Sequence, residues 1–82
     1  MSTPILLIEA DPSGVVLTLG EDQFGRPETE GIDMGDLVEA LEWMADNRTD
    51  RIHFGTGVYT ESDVLEMRNA VYAAQARTEV TR

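Results

Sequence analysis

Carboxylates make up most of the chemistry-bearing side chains in this 82-residue sequence. Sixteen Asp and Glu stand against six basic residues, all of them arginine, for a formal net charge of −10 at pH 7. The stretch EDQFGRPETEGIDMGD, residues 21–36, holds six of the acids and a single arginine. Two carboxylates can divide general-acid and general-base work when their environments differ, but no spacing here singles out such a pair. The acids also miss the calcium-loop pattern D-x-[DN]-x-[DN]-G, which leaves only loose cation binding by Glu28, Glu30 and Asp33 as an alternative. His53 is the only histidine, and its neighbours Ile52 and Phe54 place it in an apolar strand, where packing or solvation is its ordinary role. Ser2, Ser13 and Ser62 fall in a tail, a turn and a helix start, so a nucleophile activated by a neighbouring base has little to draw on. FGTGVYTES sets Gly55 and Gly57 ahead of a helix start, as a phosphate-cradling loop does, but it lacks the third glycine and the lysine. Glu61 and Asp63 in the following turn would repel phosphate. With no cysteine, disulfides, thiolate catalysis and cysteine-ligated metals are excluded. The expectation is a protein that is not an enzyme, with no catalytic residue, no metal and no cofactor.

What remains is a surface. On the helix read after residue 33, successive residues turn by about 100°, which puts Leu37, Leu41, Met44 and Ala45 on one side and Asp36, Glu39, Glu42 and Asp46 on the other. Trp43 falls with the acids. Like charges at i,i+3 and i,i+4 cost an isolated helix about 0.2 to 0.5 kcal/mol per pair, and no lysine is interleaved to offset it. A solvated charged face with Trp43 folded under residues 21–32 is the plain reading. An aromatic anchor ringed by acids is the residue mix of a site that grips a basic partner. On that reading the partner-binding residues are Glu28, Glu30, Asp36, Glu39, Glu42, Trp43 and Asp46.

The charge is polarised along the chain. Residues 1–47 carry eleven acids against Arg26, while residues 48–82 carry five of each sign. Halophilic adaptation or a general solubility bias would spread the acids more evenly. Direct nucleic-acid binding is disfavoured, because phosphate contacts need clustered Lys or Arg. The longest apolar run, Ile5–Ile8, is far short of the roughly 18 residues of a membrane span, and no charged leader precedes it, so a soluble, cytoplasmic protein is expected.

The positioning elements follow from periodicity. Pro4–Ala10 and Gly14–Gly20 read as a hairpin about Asp11–Gly14, with Val15, Leu17 and Leu19 on one face. Glu28–Ile32 can return as a third strand. A helix begins at Asp33 as N-cap, with Asp36 at N3, and runs to Asn47. RIHFGTG reads as a strand entering a glycine turn. Thr60 and Asp63 form a capping-box pair, ahead of a helix whose inner stripe is Val64, Met67, Val71 and Ala74. Residues 78–82 are expected to fray. The sum is one α+β domain over residues 1–82, a small antiparallel sheet with two helices on one face in the order ββ(β)αβα.

By type rather than by motif, a small acidic domain of this kind is comparable to phage anti-defence proteins, antitoxins and nuclease-immunity proteins. The leading expectation is a non-enzymatic inhibitor, immunity or anti-defence type factor occupying a basic surface of another protein, a nucleic-acid-binding surface being one such candidate. A structural subunit that self-associates is the alternative. A small-ligand or enzyme domain built on the Gly55–Thr60 turn stands third.

Overall fold

The computed structural model describes residues 3–55 and 57–80, the last three by backbone alone. Strands β1 (Leu7–Asp11), β2 (Gly14–Glu21) and β3 (Pro27–Asp33) precede helix α1 (Met34–Asp46). Strands β4 (Arg51–Phe54) and β5 (Gly57–Thr60) follow, and helix α2 (Glu61–Val80) ends the described chain.

The β1–β2 turn is held by one carboxylate. Asp11 Oδ1 accepts from the Ser13 N–H at 2.7 Å, the Ser13 hydroxyl at 2.6 Å and the Gly14 N–H at 3.0 Å. Gly14 admits no side chain, since a Cβ there would run into the Ile32 carbonyl oxygen. The antiparallel register runs from Leu7 opposite Thr18 to Asp11 opposite Gly14. β3 returns along β2 with Val15 opposite Ile32 and Leu17 opposite Glu30, interrupted by an irregularity between Thr18 and Gly20. Asp22 shapes that return, its carboxylate accepting from the N–H groups of Phe24 and Arg26.

Period-2 alternation therefore turns Ile8, Ala10, Val15, Leu17 and Ile32 toward the helices. Leu17, Leu37, Met44, Val64, Met67 and Val71 are fully buried in the single core cluster. The Cα trace measures 42 × 38 × 15 Å, the thickness of one sheet and one helical layer, so the outer sheet face with Leu7 and Val16 is open to solvent. No described helix is long and apolar enough to cross a membrane.

Several expectations need correction. The buried stripe of α1 is Leu37, Ala40 and Met44; Leu41 is half-buried and Ala45 exposed. The core is centred on the Ala40 side because Ile52 and Phe54 of β4 lie there. Asp33 is the N-cap but makes no side-chain cap bond; the Met34 N–H instead donates to the Ser13 carbonyl at 2.9 Å. Residues 57–60 are strand β5 rather than a turn, paired antiparallel with β4 in a second sheet, as suits the strand-favouring run Val58, Tyr59 and Thr60. Thr56 lies outside the described residues. Helix α2 is described through Val80, following a run of strong helix formers from Ala73 to Arg77; of the expected frayed tail, residues 81 and 82 lie outside the described residues. The Thr60–Asp63 box is present in both directions, each backbone N–H donating to the other's side chain at 3.1 Å.

Candidate partner-binding cleft

Helix α1 and strand β4 enclose an open cleft of about 390 Å³. Strand alternation turns Ile52 and Phe54 of β4 to one side and exposes Arg51 and His53 on the other. Opposite Ile52 and Phe54 stand Ala40 and Trp43 of α1, which complete an apolar floor. Trp43 keeps 49% of its surface exposed, so an aromatic face is offered to whatever enters. Asp36, Glu39, Glu42 and Asp46 line the same cleft, four carboxylates with no lysine between them. The C-terminal turn of α1 is closed by Asn47, whose N–H and side-chain amide both donate to the Trp43 carbonyl, at 3.0 and 2.8 Å. This ties the backbone beneath Trp43.

The hairpin carrying Ile52 and Phe54 is locked to the first sheet by Tyr59. Its ring is fully buried and lies 6.2 Å from the Phe54 ring, and its hydroxyl donates to Glu30 Oε1 at 2.9 Å. Gly57 makes room for that ring, since a Cβ there would lie 2.5 Å from the Tyr59 oxygen. Gly55, at φ +51°, faces the Glu30 carboxylate with the same lack of room. Burial first, and then the Glu30 carboxylate, push the Tyr59 phenol well above its ordinary range.

Of the seven residues expected to form one partner surface, five come together: Asp36, Glu39, Glu42, Trp43 and Asp46. Glu28 and Glu30 do not line the cleft. Glu30 lies on the inner sheet face, bonded to Tyr59, and Glu28 stands two residues earlier on β3, exposed. The expectation had extended the helix's acidic face into the preceding strand, where alternation sends every second side chain inward. Ile52, Phe54 and Ala40 were missed as lining residues. The alternation in RIHF carried the signal for the first two, but nothing in it said which face meets α1. In the Gly55–Thr60 segment, of which Thr56 lies outside the described residues, the space beside Gly57 is filled by Tyr59 and the strand runs straight into an acidic first turn. Among the described residues no group of three or more His, Asp and Glu could hold a metal ion.

Comparison with protein-family models, with curated proteins and with solved structures finds no match to this chain.

Proposed function

We propose that this is a non-enzymatic binding protein whose α1–β4 cleft grips a basic surface of another protein, acting as an inhibitor or immunity-type factor. The supporting observation is the half-exposed Trp43 set on an apolar floor and surrounded by Asp36, Glu39, Glu42 and Asp46. A helix that lacks interleaved cations tolerates internal repulsion among these acids, and a cationic partner would relieve it. A partner surface that ordinarily holds nucleic acid would suit the same carboxylates, with the acids standing where phosphates lie. Capture from the native host with the wild-type chain and with Trp43→Ala as parallel baits identifies the partner. Trp43→Ala is expected to weaken its binding by about 2 kcal/mol or more with little change in stability, and excess duplex or single-stranded nucleic acid should displace the wild type. Equal binding by the two baits would refute the role of the cleft.

Self-association is favoured by one observation, the open sheet face with Leu7 and Val16 exposed. A mass measurement on the isolated protein separates the two readings, a stable homo-oligomer supporting assembly.

A further inference from the structure

Beside the cleft, strand β4 has a backbone edge that β5 does not cover. Thr3 docks against β5: its N–H donates to the Val58 carbonyl at 2.6 Å, and its Oγ1 accepts from the Val58 N–H at 2.8 Å. The backbone groups of Val58 thus face away from β4. In an antiparallel ladder, pairs that exchange hydrogen bonds alternate with pairs that do not, so His53 opposite Val58 is a non-bonded pair. Ile52 with Tyr59 and Phe54 with Gly57 carry the ladder. The N–H and C=O of His53 and the C=O of Arg51 therefore point out of the free edge of β4, while the Arg51 N–H is held by Thr49 Oγ1 at 3.3 Å. Among the described residues the second sheet consists of β4 and β5 alone, and no backbone group from elsewhere bonds to this edge of β4.

We infer that an extended segment of the partner adds to β4 as a third strand, carrying arginine or lysine at alternate positions that face the cleft. This rests on the binding function proposed above and specifies how the partner is held. A strand laid beside β4 turns every second side chain to the same side as Ile52 and Phe54, over Trp43 and among the carboxylates. From Asp36 to Asp46 the helix advances about 15 Å at 1.5 Å per residue. Three alternating strand positions span about 13 to 14 Å, so a basic-x-basic-x-basic segment running alongside α1 matches the acidic flank in length. The positions between are turned to the face of Arg51 and His53, where further cations would be repelled; they should be neutral or acidic. Main-chain pairing provides attachment and the cleft provides selection, the division of labour seen wherever a peptide extends a sheet.

Four labelled octapeptides test this: alternating Arg-Thr, the same peptide N-methylated at the threonines, the same peptide N-methylated at the arginines, so that one edge or the other is blocked, and a block peptide of four arginines followed by four threonines. At low salt the alternating peptide should bind, and one of the two N-methylated forms and the block peptide should each bind about tenfold more weakly, the loss of roughly one hydrogen bond's worth of affinity. Amide exchange at His53 should slow when the alternating peptide is added, a readout that needs no substitution and so no assumption about folding. His53→Pro, which removes the edge N–H, should weaken the alternating peptide and leave the block peptide unchanged. Equal binding of all forms with unaltered His53 exchange, still lost on charge reversal of the cleft acids, would overturn strand addition and leave the acidic-cleft function standing. Failure of every arginine peptide to bind at low salt would overturn both.

Discussion

At the scale of the residue, Tyr59 does more than fill space. Its buried phenol donates to Glu30 across the gap between the two sheets, and the cleft wall of Ile52 and Phe54 is carried on the hairpin that this bond secures. Burial and the adjacent carboxylate both favour the neutral phenol, so the folded protein holds this proton more tightly than the unfolded chain does. That contribution is complete below the ordinary tyrosine value near pH 10 and is lost as pH rises through and beyond it. The urea midpoint of the wild type should therefore fall between about pH 8 and about pH 11, and Tyr59→Phe should show a smaller fall, since the phenol that folding holds protonated is gone. At pH 8 the Phe variant should be about 1 kcal/mol less stable. Identical pH profiles for the two proteins would show that the Tyr59–Glu30 bond contributes nothing. The role of Tyr59 was not legible in the sequence. A tyrosine two residues from a glycine in a short run looks like any strand residue, and its partner Glu30, 29 residues earlier, has the sequence signature of the acidic surface.

At the scale of the element, local signals were the readable ones. The Asp11–Gly14 turn, the Thr60–Asp63 box and the stripe Val64, Met67, Val71 and Ala74 are each set by residues within one or two turns of each other, and all stand in the structure. The first helix was read less well, because which of its flanks is buried depends on where the β4–β5 hairpin packs, a contact between distant segments. Leu37, Leu41 and Met44 fit the apolar spacing equally, yet Leu37 and Met44 are fully buried and Leu41 only half so. This difference has a measurable consequence. Leu37→Ala should cost about 2 to 5 kcal/mol through lost burial and the cavity left behind, while Leu41→Ala should cost distinctly less, because the truncated site opens to water. Chemical denaturation of the two variants decides it; equal losses would mean that Leu41 is packed as fully as its neighbour.

At the scale of the molecule, charge and shape act together. A body only 15 Å thick leaves little interior for a ligand cavity, so what the protein offers is surface, and that surface is divided. The eleven acids of residues 1–47 include the four around Trp43, whereas residues 48–82 are balanced. This polarity was fully legible in the sequence; that the acids converge on a cleft was not, because Ile52 and Phe54 come from the balanced half. A field concentrated on one flank steers a cationic partner before contact, and its reach is limited by screening to about 8 Å at physiological ionic strength. Association with the captured partner, or with the alternating Arg-Thr peptide, should therefore slow as salt is raised, and the effect should fall mainly on the association rate. Reversing Glu39, Glu42 and Asp46 to lysine should slow association of the unscreened protein more than it speeds dissociation. It should also flatten or invert the salt dependence, because the attraction that salt screens is replaced by local repulsion. Acids that served only to keep the protein dissolved would give another pattern, with an association rate indifferent to salt in the wild type and the triple variant alike. Stopped-flow traces of both proteins across the salt series distinguish these cases, and a flat wild-type profile would rule out electrostatic capture by the cleft.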